Sequence, residues 1–274
     1  MNRTALTALL RLVHPAPAAA VVALSGALAI ILTGQAGRPV DWRVGLIVLS
    51  VAGSQVATGA FNDWADRGRD VAARPEKPIP AGEVEPWKAI ILGIGGILVT
   101  IVTSLLLAPL ALLFGMFATA SALAYDLVLS RTPASVLPYL ISFGVLPAWI
   151  ASGIGVPLDR VAGAIVLVAP FAAAAHLANT ARDFEADAAA GSRSLAQLLG
   201  REASHRIALG LALAVGVGVG AALAVGGRLT PAAVALGAVG LVAIAQGVAG
   251  PRHLWYGMLV AAVCWTIAWG LATG

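Results

Sequence analysis

Charge is what this sequence has least of. Asp, Glu, Lys and Arg make up 11% of its 274 residues, against about 25% in a soluble globular domain. The mean hydropathy is +0.91 and 59% of the residues are hydrophobic. That scarcity excludes an ordinary soluble domain and points to a polytopic, all-α membrane bundle. Cysteine is nearly missing too. The single Cys264 excludes an intramolecular disulfide, leaves the redox compartment unrecorded, and reads as a buried apolar thiol. Lysine occurs only at Lys77 and Lys88, so arginine carries most of the positive charge.

What is abundant is apolar sequence in lengths near the roughly 20 residues that cross a bilayer. Segments at 17–34, 44–61, 89–107, 109–125, 136–152, 161–178, 205–226, 231–249 and 254–272 give nine spans, all within one domain covering 1–274. Only Pro109 separates the third from the fourth, so eight is the alternative count. Arg3 and Arg11 before an apolar run resemble the start of a signal peptide, but 17–34 is long enough to span and further spans follow.

The placement of the +4 net charge says more than its size. With nine spans and a cytoplasmic N-terminus, Arg38, Arg43, Arg160 and Arg228 fall on the outer side and every other Lys and Arg on the cytoplasmic side. The positive charge flanks spans, so it calls for no nucleic-acid partner. An integral protein of a prokaryotic plasma membrane is the expected setting.

Residues 1–16 read as an amphipathic, surface-lying entry, with Leu6, Leu9, Leu10 and Val13 on one side and His14-Pro15 breaking it. Residues 35–43 form an outer loop in which Trp42 is an interfacial anchor. The tail from 207 is Ala, Gly, Val and Leu, suited to close helix packing in lipid. Trp255, Trp265 and Trp269 there are belt or packing residues, or walls of a cavity.

Against this background Phe61 to Lys88 stands out as the densest run of ionisable residues. Asn62, Asp66 and Asp70 are spaced i, i+4, i+8, so on a continued helix they share one face. Gln55 and Thr58 extend that polar stripe into the membrane, where it must look into a bundle cavity. Asp63 sits beside the row. Arg67, Arg69, Arg74 and Lys77 follow, and Pro75, Pro78 and Pro80 end any helix. A second row, Asn179, Asp183 and Asp187, repeats the spacing after another apolar run, with His176 below it on the same face of one helix. Gly191 and SRSLAQLLGR then read as a turn into a short surface helix. Between the two rows, a loop from Tyr125 to Pro133 brings Tyr125, Asp126 and Arg131 to the same rim; Asp126 is expected to be solvated there.

Four carboxylates, Asp66, Asp70, Asp183 and Asp187, gathered at one membrane surface would repel unless a cation joined them. Oxygen ligands of this kind suit Mg²⁺, which shares its shell with substrate phosphates. Arg67, Arg69, Lys77, Arg131, Arg182 and Arg193 around the rim would meet the remaining phosphate oxygens. The ligand matched to such a rim above an apolar chamber has a diphosphate head and a lipid tail. Its chemistry is metal-assisted ionisation of an allylic carbon–oxygen bond, with the carbocation kept from water.

NDWADRGRD (Asn62 to Asp70) followed by RPEKPIPAG (Arg74 to Gly82) strongly resembles the first signature of the UbiA superfamily of intramembrane prenyltransferases. NTARDFEADAAAG (Asn179 to Gly191) resembles the second. The resemblance covers the whole chain and implies a helical bundle with a lateral opening to lipid. It implies that Asn62, Asp66, Asp70, Asp183 and Asp187 hold Mg²⁺ on an isoprenyl diphosphate, that Arg67, Lys77 and Arg131 lie near its phosphates with Arg182 and Arg193 in support, and that Tyr125 takes part in catalysis. Gln55, Thr58, His176 and Asn179 would line the cavity. Many members carry Lys where this chain has Ser130, which weakens the clamp there or passes its role to Arg131.

The reaction so implied moves an isoprenyl chain to a lipophilic, most often aromatic, acceptor. A terpene cyclase on the same frame, a polyprenyl-phosphate phosphoribosyltransferase and a cation or phospholipid transporter are the competing readings. Clusters on one face rather than at the midplane between inverted repeats speak against transport.

Overall fold

In hydrocarbon each backbone N–H and C=O must find its partner within its own segment, so apolar runs of this length become helices. The computed structural model describes residues 3–227 and 229–271, and these residues are predominantly helical and strand-free. Arg228, assigned above to the outer side, lies outside the described residues, as does the side chain of Arg3. Among the described residues nine helical segments are long and apolar enough to span a bilayer: Pro15–Gln35, Trp42–Ala73, Pro86–Leu107, Pro109–Leu129, Pro133–Ile154, Leu158–Arg182, Arg201–Val225, Pro231–Ala249 and Pro251–Leu271. The nine-span expectation holds, and Ala108 alone, in extended backbone, separates the third span from the fourth.

In chain order the α-helices are α1 (Arg3–Arg11), α2 (Pro15–Gln35), α3 (Trp42–Ala73), α4 (Pro86–Leu107), α5 (Pro109–Ala124), α6 (Leu137–Ile154), α7 (Ala162–Arg182), α8 (Phe184–Ala189), α9 (Leu195–Leu199), α10 (Arg201–Val225), α11 (Pro231–Ala245) and α12 (Pro251–Leu271). Proline in the first turn opens α2, α4, α5, α6 and α11, where its missing N–H costs nothing. Asp41 caps α3 by accepting from the Arg43 backbone N–H at 2.9 Å. At 32 residues α3 outruns the membrane and carries the first polar row beyond the apolar layer.

Two apolar cores meet side by side. One joins α2, α3, α5 and α6 around Ile47, Val51, Trp149 and Ile150; the other joins α7, α10, α11 and α12 around Leu177, Leu254, Met258 and Trp265. Polar contacts tie neighbouring helices, where lipid offers no hydrophobic drive for association. Ser50 Oγ lies 2.6 Å from Ser104 Oγ, Trp149 Nε1 donates to Ser104 Oγ at 3.2 Å, and Ser54 and Thr119 pair at 2.8 Å. Helices α3 and α4 touch backbone to backbone: a Cβ on Gly53 would stand 2.7 Å from the Gly96 carbonyl oxygen.

Helix α1 lies against the rim. Ala8 and Leu12 are buried with Val84 and Ala89, beside Leu9, Trp64 and Ile79. The expected apolar face therefore divides: Leu9 packs inward while Leu6 and Leu10 stay exposed, as suits a helix lying in an interface. Arg11 donates to Glu83 at 2.8 Å and to the Glu76 carbonyl oxygen, which fastens α1 to the segment following α3.

Candidate functional site

An α-helix turns about 100° per residue, so each four-residue step drifts about 40°. Along Asn62, Asp66 and Asp70 that drift divides the first row. Asp70 ends up about 20° from Asp63, seven residues earlier, and the two buried carboxylates share Lys77, whose Nζ donates to Asp63 Oδ1 at 2.8 Å and to Asp70 Oδ2 at 2.7 Å. The same Asp63 oxygen lies 3.1 Å from His14 Nε2. Asn62 and Asp66 turn the other way, toward the segment after α5.

That segment, read above as a loop, is a π-helical turn over Tyr125–Leu129, closed by a 2.9 Å hydrogen bond from the Ser130 N–H to the Tyr125 carbonyl. The fourth span thus runs on to Leu129. The turn also buries Asp126, which is 9% exposed, so the expectation of a solvated carboxylate fails. An extra residue per turn rotates the side chains that follow, and here it brings Asp126 Oδ1 to 3.1 Å from Asn62 Nδ2. Between α3 and the turn lies a cleft of about 250 Å³ lined by Asp66, Arg69, Asp126, Ser130 and Arg131. Arg69 is three residues beyond Asp66, on the same face, and pairs with it.

The second row keeps its spacing but not its helix. Helix α7 ends at Arg182, Asp183 leaves helical geometry (φ −97°, ψ 14°), and Asp187 belongs to α8. The expectation of one continuous helix face is therefore corrected. Hydrogen bonds from the Asp183 N–H to the Asn179 carbonyl (3.1 Å) and from the Asp187 N–H to the Asp183 carbonyl (3.0 Å) hold the register through the kink. Burial and the neighbouring Asp183 carboxylate push the Asp187 carboxyl above its ordinary range, against the opposing pull of Arg74, Arg131 and Arg69. The arginines of the first half thus stand within electrostatic reach of the second row.

Arg131 joins the two halves directly. Its Nη2 donates to the Ala190 carbonyl at 2.6 Å, and its own carbonyl accepts from the Arg193 N–H at 3.0 Å. Arg182 forms a two-pronged pair with Asp183 at 3.0 and 2.9 Å and stacks 5.4 Å from the Trp255 ring. Arg67 folds back onto Trp64, donating to its carbonyl at 2.6 Å, and so leaves the cleft to Arg69.

Beneath the rim, Tyr125 and Tyr139 lie edge to face at 5.2 Å, and Phe143 stacks 5.9 Å from Tyr139. His176, fully buried, stands 4.6 Å from the Tyr139 ring, with Nε2 at 3.0 Å from Ser135 Oγ. Thr58 turns back to the Ser54 and Gln55 carbonyls of its own helix. Gln55 and Asn179 are half-buried. Among the described residues no group of three or more His, Cys, Asp or Glu side chains is close enough to hold a metal ion by itself.

A nine-span helical bundle whose two polar helix ends meet at one rim, carboxylates beside guanidiniums above aromatic side chains, defines an integral membrane protein with a charged cleft at the ends of its helices. The family follows: residues 19–254 match the model of the UbiA prenyltransferase family, and the chain belongs to it. A digeranylgeranylglyceryl phosphate synthase from Natronomonas pharaonis is 28% identical over 170 residues, 60% of this chain; the match spans only 61% of that relative's length. The fold is similar to that of a UbiA homolog from Aeropyrum pernix K1 (TM-score 0.72, 21% identity, 92% of this chain and 96% of that one). It is also similar to a UbiA homolog from Archaeoglobus fulgidus bound to GPP and Mg²⁺ (TM-score 0.69, 15% identity, 97% and 99%).

Proposed function

We propose that the protein transfers an isoprenyl chain from an isoprenyl diphosphate to a lipophilic acceptor, with Mg²⁺, at the cytoplasmic rim of a prokaryotic plasma membrane, the whole chain acting as one domain. The observation that carries this reading is the cleft that gathers Asp66, Arg69, Asp126 and Arg131 with the apolar Leu127 and Val128, next along the chain to Tyr125 and its ring contact with Tyr139. Membership of the prenyltransferase family supports it, as does a similarly folded homolog bound to GPP and Mg²⁺.

The donor set suits the metal. Carboxylate and amide oxygens are hard ligands, and Asp126 Oδ2 is buried without a hydrogen-bond partner. Asn62, Asp66 and Asp70 from α3, with Asp183 and Asp187 across the rim, are the residues that would hold Mg²⁺, which when bound supplies Lewis-acid stabilisation of the diphosphate leaving group. In the protein itself these carboxylates are neutralised by neighbours: Asp66 by Arg69, Asp70 by Lys77, Asp183 by Arg182. These carboxylates are thus each matched to a positive charge, and Arg69 and Arg131, which line the cleft, are the guanidiniums that would meet the phosphate oxygens. Tyr125, Tyr139 and Phe143 then keep the allylic carbon away from water as its bond to oxygen breaks, and the acceptor captures the carbon and gives up a proton.

The acceptor class is open to two sources of evidence. The superfamily resemblance favours an aromatic ring, whereas the relative from Natronomonas pharaonis is named for a glyceryl phosphate product. Ser130, in place of a lysine in the clamp, keeps a second reading: a cyclase that releases diphosphate with no acceptor.

Diphosphate release by lipid-reconstituted protein, with Mg²⁺ and a panel of isoprenyl diphosphates, tests all of these. Release that depends on an aromatic or prenylglyceryl phosphate acceptor, with the adduct found by mass analysis, supports the transferase. Release without acceptor and a cyclised hydrocarbon supports the cyclase. Silence across the panel overturns both.

A further inference from the structure

Asp126 is a buried acidic group that neither signature contains. One oxygen, Oδ1, accepts from Asn62 Nδ2 at 3.1 Å; the other, Oδ2, is buried and has no hydrogen-bond partner. The residue is only 9% exposed, yet it forms part of the wall of the cleft that Asp66 also lines. A buried carboxyl oxygen left without a partner forfeits the hydration it had in water and gains nothing in exchange. Donors are close by but committed elsewhere: Arg69 pairs with Asp66, and Arg131 reaches the Ala190 carbonyl.

Asn62 bears on the same point. Its Nδ2 is the atom that donates to Asp126, so the amide oxygen is the Asn62 atom left to coordinate.

We propose that Asp126 is itself a ligand of a divalent cation in the cleft between α3 and the π-helical turn, together with Asp66 and the Asn62 amide oxygen. This rests on the reading that the cleft receives such a cation with a diphosphate. Two carboxylates and one amide match Mg²⁺, which keeps several waters and completes its shell with substrate phosphates rather than with a full protein cage. The π turn explains how the ligand arises: it withdraws Asp126 from the surface and delivers it to Asn62 and the cleft.

The test is Mn²⁺ binding to the purified full-length protein without any prenyl substrate, followed by electron paramagnetic resonance. Asp126→Asn and Asp126→Ala are compared with wild type and with Asp41→Asn at the other end of the bundle, each checked for an unchanged size-exclusion profile and melting temperature. The expected result is a loss of Mn²⁺ affinity of about ten-fold or more in both Asp126 variants, and none in Asp41→Asn. Asp126→Asn can still accept from Asn62, so wild-type affinity in that variant with a loss only in Asp126→Ala would reduce Asp126 to a positioning residue and overturn the proposal. Unchanged affinity in both, or a wild-type protein that takes up no Mn²⁺, would overturn it as well. Since the titration contains no prenyl donor, an Asp126-dependent ion site in a protein that turns over no isoprenyl diphosphate would sink the transferase reading alone.

Discussion

Lys77 sits between Asp63 and Asp70 with its side chain only 12% exposed; Asp70 depends on it for neutralisation, and Asp63 shares it with the neighbouring His14. Removing one partner of a buried pair leaves charge uncompensated, whereas removing all partners together is far milder. Lys77→Met is expected to cost about 3 kcal/mol, read as a lowered melting temperature in detergent. Adding Asp63→Asn and Asp70→Asn should restore most of that loss; an unchanged melting temperature in Lys77→Met would mean the bridge carries no weight. Asp66→Ala and Asp183→Ala make the opposite case. Both sit at the rim, and each is expected to abolish diphosphate release, by a factor of roughly 100 or more, while the protein stays folded. Near-normal turnover in either would count against a site shared by the two rows. That Asn62 and Asp66 share one side of α3 was legible from their spacing, whereas Asp70, placed on the same face, turns to Lys77 instead. Arg69 rather than Arg67 as the cleft guanidinium follows from the same arithmetic, since only a three- or four-residue step keeps a side chain on the Asp66 face. Asp126 was not legible, because nothing in YDLVLS announces a π turn, and in an ordinary loop it would have been wetted.

At the scale of elements, α1 is held against the polar end of α3 by closeness as much as by charge. A Cβ on Gly59 would stand 2.9 Å from the Leu12 carbonyl oxygen and from the Val13 Cα, both backbone atoms that cannot rotate aside. Gly59→Ala should therefore lower stability by about 1–3 kcal/mol. It should also lower turnover, since His14, immediately beyond, touches Asp63. Gly95→Ala on α4, where a new Cβ meets nothing within 4 Å, is the matched control and is expected to be neutral or slightly stabilising. Equal melting temperatures for the two variants would remove the packing argument. The spans themselves were readable because hydropathy and length decide them. The kink at Asp183 was not: no Pro or Gly lies between Asn179 and Asp187, so the sequence carries no breaker there.

At the scale of the molecule, the arginine distribution predicts which side of the membrane holds the rim. In a Cys264→Ala background, Glu76→Cys should react with a membrane-impermeant maleimide only from the cytoplasmic side, and Val40→Cys only from the other. Reversed labelling would invert the proposed topology. Both positions are exposed. How the two cores come together, so that Arg131 bonds to residues from 190 to 193, was beyond sequence reasoning, since it depends on contacts between helices far apart in the chain.

The joint at Ala108 bears on how such a chain enters the membrane at all. From Ala89 to Tyr125 there is no Asp, Glu, Lys, Arg or His, and a single extended residue is the whole of the connection between α4 and α5. During synthesis neither helix has a charged anchor at that end to hold it across the bilayer while the other is made. The two are therefore expected to partition from the insertion machinery as one closed hairpin, with Lys88 and Asp126 at its open end.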